Sequence, residues 1–154
     1  MSPSLDRVNQ PMSEATTTEH EQTLNTYRDF EDLWNGEFSK LDVVAESISF
    51  YNPSLPDGEL HGREAFEAYL REIRSAFPDW QVVADDLLVG DGVVMKEWTV
   101  TGTHKGEFEG VPPTGREIEF KGMAKDIMAG SNVQEQRLYH DPQEVPEQLG
   151  LTEE

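Results

Sequence analysis

Two histidines, one aspartate and one asparagine stand where their chemistry would matter. His104 follows Gly102 by two residues at the end of the β-branched run Trp98-Thr-Val-Thr-Gly-Thr-His. A glycine inside a strand pattern marks a bulge, or a place where another backbone or a ligand comes close. A histidine beside such an irregularity could hydrogen-bond a substrate carbonyl or shuttle a proton. Its imidazole could equally tie down the following turn by bonding to backbone around 106–110. Asp126 lies on a run of small and apolar residues, where alternation groups it with Phe120, Gly122, Ala124 and Met128. If that side lines a cavity, desolvation makes the carboxyl a usable acid or base. If it faces out, Asp126 is one acid among many.

His140 and Asp141 are adjacent, so an extended chain sends them to opposite faces and they form no dyad. Asp141 before Pro142 reads as a helix N-cap. His140 then either faces inward with Leu138 or is exposed. Asn52, ending a strand before Pro53, can present its amide to a ligand or close an Asx-turn. Trp34, Tyr51, Trp98 and Phe120 read singly as core aromatics. Together with Asn52 they could also form an apolar pocket with a few polar handles.

Other chemistries find little support. His20, His61, His104 and His140 are widely spaced, without HExxH or His-x-His, and cysteine is absent, so neither a metal site nor a disulfide is indicated. No GxSxG, phosphate loop or GxGxxG occurs, and no cofactor is expected. The run Gly102-x3-Gly106-x3-Gly110 lacks a phosphate-loop lysine and a following helix, and reads as turn chemistry.

The elements that must position these residues follow from periodicity. Residues 1–18 mix Ser, Thr, Pro, Asn and Gln with few apolar side chains and read as a disordered leader. Leu24, Tyr27, Phe30, Leu33 and Trp34 then recur at helical spacing until Asn35-Gly36. Ser39 is expected to cap a short helix over 40–46, with Leu41, Val44 and Ala45 inward. Ile48, Phe50 and Tyr51 predict a short strand, followed by a polar loop over 52–60. The clearest helix runs over 62–77, with Phe66, Tyr69, Leu70, Ile73 and Phe77 on one face. Strands are expected over 80–89, 93–105, 116–128 and 132–140, with Asp91-Gly92 a hairpin signal. A short helix after Asp141-Pro142 closes the domain near Gly150, leaving 152–154 as a tail. Helices segregated from an antiparallel meander make the domain, 19–151, α+β. A curved antiparallel sheet that wraps the N-terminal helices leaves a cavity at its open end.

The 154 residues carry 31 acidic against 12 basic side chains, a net charge of −19. Such a surface repels nucleic acid and anionic membrane. The acids are spread along the chain, with only five lysines, which favours a salt-adapted surface over recruitment of a cationic partner. No stretch approaches the roughly 18 apolar residues of a membrane span, and the N-terminus lacks signal-peptide order, so the cytoplasm is the default location.

The pattern Trp98-x3-Gly102-x-His104-x-Gly106-x3-Gly110-x-Pro112-Pro113-Thr114-Gly115-Arg116 resembles the SnoaL-like polyketide cyclase (ester cyclase) family. Tyr51-Asn52-Pro53, His61-Gly62-x-Glu64-Ala65-Phe66 and the terminal Gln148-Leu149-Gly150 agree with it. The resemblance covers roughly 21–151. It implies the cone-shaped α+β barrel of nuclear transport factor two, and a cofactor-free acid–base enzyme that closes a polyketide ring by aldol condensation. It places the pocket asparagine at Asn52, the aromatic of the first helix at Trp34 and a pocket histidine at or near Asp126. The acid–base aspartate of the family falls at Leu138, which carries no proton.

The leading expectation is therefore a pocket for a small apolar or carbonyl-containing ligand, worked on by Asp126, His104 or His140. Cyclisation, isomerisation, dehydration and ester hydrolysis all remain open. The other is a non-catalytic binding or assembly module on the same cone. Folds of this kind commonly pair through their sheets, so a homodimer is expected.

Overall fold

The computed structural model describes residues 13–151, so residues 1–12 of the expected leader and the tail over 152–154 lie outside the described residues. Helix α1, Ser13–Trp34, begins inside the stretch read as leader. Thr23, Thr26, Tyr27, Phe30, Leu33 and Trp34 are its buried stripe, the spacing that sets one helix face against a core. Asn35 ends it and pins it to the sheet. Its Oδ1 accepts the Val82 N–H at 2.7 Å, and its Nδ2 donates to the Val82 carbonyl at 3.1 Å.

A 3-10 turn, Phe38–Val43, replaces the helix expected over 40–46, and strand β1, Val44–Tyr51, begins where that helix would have continued. Ser39 caps nothing. Leu41, Val44 and Ala45 fit a helical stripe in isolation, but Val44 pairs with Val133 and is fully buried. Tertiary pairing overrides local spacing here. The loop expected over 52–60 closes with a three-residue strand β2, Glu59–His61. Helix α2, Arg63–Ala76, buries Phe66, Leu70, Ile73 and Ala76. Strands β3 (Gln81–Gly90), β4 (Val93–Thr103), β5 (Glu117–Ala129) and β6 (Asn132–Tyr139) form the expected meander, and helix α3 (Glu144–Gln148) follows.

The six strands form one curved, unclosed sheet in the order β2-β1-β6-β5-β4-β3. Register shifts in β1, β3 and β6 mark the irregularities that bend it. One pairing departs from the antiparallel expectation, because β1 runs parallel to β6. Parallel neighbours need a long crossover, and α2 with three meander strands supplies it. The consequence is functional: β1 and β6 end at the same edge of the cone.

α1 and α2 fill the concave face. Phe30, Phe50 and Phe66 are fully buried and stack around one another, Phe50 and Phe66 edge-on at 5.0 Å. Each such side chain contributes about 1.5–3 kcal/mol relative to an exposed one. Gly102 makes no bulge, since β4 and β5 pair without interruption from Val93 to Thr103. Close approach is the reason for it: a Cβ there would lie 3.3 Å from Phe77. Gly106 is tighter still, its Cβ position 2.2 Å from the Ser75 carbonyl oxygen. The approach lets the N–H groups of Lys105 and Gly106 both donate to the Ala76 carbonyl, satisfying the end of α2.

Candidate functional site

A cavity of about 380 Å³ opens at the wide end of the cone, within the range of about 300–1,000 Å³ that holds small organic ligands. Ile73 and Phe77 line it from the helical side, and Val82, Val100, Phe120 and Leu138 from the sheet. Pro142, Val145 and Pro146 of the C-terminal segment form one rim and Phe108 and Glu109 another. The polar side chains that line it include Trp34, Asn52, Tyr69, Lys96, Gln136 and His140.

His140 and Asn52 meet because β1 and β6 are parallel. Tyr51 pairs with Arg137, so Asn52 and His140, just past the two strand ends, come to the same edge although 88 residues apart. Alternation carries His140 inward with Gln136 and Leu138. The Asn52 amide is fixed from three sides. Its Oδ1 accepts the Ser54 N–H at 2.9 Å, the Asx-turn expected of Asn-Pro, and its Nδ2 donates to the Tyr69 hydroxyl at 3.0 Å. Oδ1 is thereby an acceptor, so His140 Nε2, 2.9 Å away, must carry the proton it donates. The Nδ1 of His140 is left unprotonated, buried and without a partner. Burial also holds the His140 pKa below its ordinary value, against the opposing pull of the Asp141 backbone and of the Glu144 and Asp141 carboxylates. At neutral pH the ring is a neutral imidazole with one unused lone pair.

Asp126 lies on the inner face, fully buried, but under the cavity floor rather than in its lining. Gln136 stands between them: it accepts from Trp34 Nε1 at 3.1 Å and donates to Asp126 Oδ1 at 2.9 Å. Burial pushes the Asp126 carboxyl up, while Lys96 and Gln136 pull the other way. Lys96 Nζ lies 3.6 Å from Asp126 Oδ2 and 3.2 Å from Glu31 Oε1, with only 3% of the residue exposed. A buried ammonium held between two carboxylates leaves no isolated buried charge.

Comparison with known proteins places the chain. The sequence pattern of SnoaL-like polyketide cyclases matches residues 24–149. The chain belongs to the SnoaL-like polyketide cyclase family. Solved structures with the same fold include AclR from Streptomyces galilaeus, provisionally described as a hydroxylase (22% identity, TM-score 0.73, covering 87% of this chain and 84% of that one). A protein of Jannaschia sp. CCS1, provisionally described as a SnoaL-like polyketide cyclase, gives 21% identity, TM-score 0.75 and coverage of 86% and 94%. IdmH from Streptomyces antibioticus, provisionally described as a polyketide cyclase, gives 24%, 0.70, and 84% and 99%. No curated protein matches this sequence.

In this SnoaL-like chain the expected site residues divide. Trp34, Asn52, Trp98, Phe120, Leu138 and His140 line the cavity, Leu138 bringing hydrocarbon where the resemblance implied an acid. Three residues do not line it. Tyr51 points out of the opposite face, under the Arg137 guanidinium at 4.1 Å, because alternation turns Phe50 inward. Asp126 is covered by Gln136. His104 is fully buried in the β4–β5 corner, its Nδ1 accepting the Thr114 N–H at 3.1 Å and facing Thr114 Oγ1 at 3.0 Å. Asp141 is not the N-cap of α3, a position that Gln143 takes without a side-chain cap; its Oδ1 accepts the Gln143 N–H at 2.9 Å in an Asx-turn just before the helix.

Sequence reasoning missed Tyr69, Lys96, Gln136, Trp80 and Glu109. Lys96 had a signal: it alternates with Val94, Trp98 and Val100, so a charge sits in an inward register. Glu109 had one too. Glu-Gly between Phe108 and Val111 takes φ 51° and 83°, the two left-handed residues of a tight hairpin turn. Burial and Glu72 raise its carboxyl pKa.

Proposed function

We propose that this protein is a cofactor-free acid–base enzyme acting on a small carbonyl compound, with His140 as the proton-transfer group. The carrying observation is the unprotonated Nδ1 of a cavity histidine whose other nitrogen is fixed by Asn52. A carbonyl compound bound against Phe120 and Leu138 would lose an α-proton to Nδ1. The C–H bond breaks, an N–H bond forms and the electron pair passes to the carbonyl oxygen as enolate. Asn52 would stabilise the resulting imidazolium through Nε2–H, as an orienting partner does in histidine-based triads. Returning the proton elsewhere, or attack of the enolate on a second carbonyl, completes an isomerisation or an aldol cyclisation. Asp126 is a positioning residue in this reading, holding Gln136, and His104 has no part in the chemistry.

The test needs no native substrate. Exchange of the α-hydrogens of 1-tetralone in D2O reports enolisation directly. The native protein should accelerate it over buffer, and His140→Gln should lose about 100-fold or more of that acceleration. Equal rates for the two proteins would leave the second reading, a non-catalytic binding module, which Leu138 at the family acid position favours.

We also propose a cytoplasmic homodimer working in concentrated salt. Val83, Met95, Met123 and Tyr139 leave apolar surface on the outer face of the sheet, where a second copy would cover it. A monomer by light scattering in high salt contradicts the pairing. Melting temperature should rise toward molar salt as screening relieves self-repulsion, and a flat response contradicts the adaptation. Among the described residues no helix is long and apolar enough to cross a membrane.

A further inference from the structure

The hydrogen bonds around Asn52 run in one direction. The Ser54 N–H donates to Asn52 Oδ1 at 2.9 Å, and a backbone N–H only donates, so the amide has one orientation. Its Nδ2 must then donate, and the Tyr69 hydroxyl at 3.0 Å must accept. On the other side His140 Nε2 donates to Oδ1 at 2.9 Å. Every proton in this chain points from His140 toward Tyr69. One end keeps a lone pair, His140 Nδ1. The other end keeps a proton, because a hydroxyl that accepts from Asn52 still has its own O–H to give. None of the described residues accepts it.

Tyr69 also stands where a ligand can reach it. It lies one helical turn before Ile73 and two before Phe77, and all three line the cavity. The neighbours of its hydroxyl along the chain, Asn52 and His140, line the cavity too. The residue is half-buried rather than enclosed. Its ring is held edge-on to Trp34 at 6.4 Å and tilted against Phe50 at 5.5 Å. Burial first, then the Glu109 and Glu72 carboxylates, raise the hydroxyl pKa above its ordinary value, against the pull of the Asn52 hydrogen bond. At neutral pH it is an O–H.

We infer that Tyr69 is the second catalytic residue of this site, donating its O–H to the oxygen of the bound ligand while His140 works at the other end of the same chain. The inference rests on the acid–base reading for the base, and adds the donor that Leu138 cannot supply. As a proton leaves the ligand for His140 Nδ1, the electron pair moves to the ligand oxygen. The hydrogen bond from Tyr69 strengthens there without its O–H bond breaking. The two ends are coupled through the amide, since charge on the imidazolium strengthens each successive hydrogen bond and makes the hydroxyl a better donor. The middle residue must be an asparagine for this. An aspartate would accept from both neighbours and turn the Tyr69 proton away from the ligand.

The experiment reads the ligand oxygen as well as turnover. The carbonyl stretch of carbon-13-labelled 1-tetralone falls in frequency when the oxygen accepts a hydrogen bond. It should lie lower in the native protein than in Tyr69→Phe. Asn52→Asp should release it as fully, although the tyrosine is still there. Tyr69→Phe should also lose about 100-fold of the exchange acceleration. His140→Gln should keep the lowered stretch while losing exchange, because Ser54 still orients Asn52. The inference is overturned if tetralone fails to bind the native protein, if Tyr69→Phe leaves the stretch in place or a native exchange rate unchanged, or if Asn52→Asp keeps the lowered stretch. A lowered stretch that depends on Tyr69, with no exchange in the native protein, would sink the acid–base reading alone and leave Tyr69 as the donor to a bound ligand.

Discussion

His104 and His140 are alike in their chemistry and opposite in their use of it. Each has one ring nitrogen engaged and the other buried without a partner, and in each the hydrogen bonds fix the proton on Nε2. His104 spends its lone pair: Nδ1 accepts from Thr114, ten residues along the same hairpin. Its backbone closes the same corner, the N–H donating to the Arg116 carbonyl and the carbonyl accepting from Gly115. What remains is an N–H packed among Phe77 and Phe108. His140 spends its proton instead, on an asparagine from a distant strand, and what remains is a lone pair. A lone pair can take a proton from a ligand and an N–H of a neutral ring cannot. The difference teaches that burial and residue type do not distinguish a latch from a base, whereas the nitrogen left over does.

The sharpest way to break this contrast is activity. His140→Gln should cost about 100-fold or more in enolisation, and His104→Gln should leave turnover per folded molecule unchanged. The reverse result would exchange their roles. Stability should run the other way. His104→Ala removes the acceptor for Thr114 and opens a hole against Phe77, costing about 2–3 kcal/mol in denaturant unfolding. A loss under about 0.5 kcal/mol, the range of ordinary surface substitutions, would mean that the corner does not depend on it.

The smallest effect is in pH. His140 holds its proton less tightly folded than unfolded, so its contribution to stability is present above its unfolded value of about 6.5 and lost as pH falls through the lowered one. His140→Gln should flatten that limb of a melting-temperature profile. Asp126 has the opposite sign. Its raised carboxyl contributes fully below about 3.9 and loses that contribution as pH rises through the folded value. An acid limb unchanged by His140→Gln would place its cause elsewhere.

Much of the fold was legible because strand alternation and helical stripes are local. Phe66, Leu70 and Ile73 announce α2, and Val94, Trp98 and Val100 announce the inner face of β4. The family could be read from glycines and prolines at the β4–β5 corner, where Gly106 has no room for a side chain. The site was legible only in part. Asn52 and His140 were each visible as candidates, but their meeting depends on a parallel pairing between strands separated by a helix and a meander. Asp126 shows the converse. Alternation grouped it with Phe120 and Ala124 without saying which way that side faces; the side is the inner one, yet inward is not the same as facing the cavity, because Gln136 lies over it. The stretch over 40–46 fits helix and strand alike, and the partner strand decides.

The most direct measurement is the nitrogen-15 spectrum of the two imidazoles at neutral pH, with and without 1-tetralone. The contrast requires Nδ1 of each ring to act as the acceptor and Nε2 to carry the proton, with the Nδ1 signal of His140 moving on ligand binding and that of His104 staying in place. A His140 that is already protonated on Nδ1, or that responds no more than His104, would contradict it.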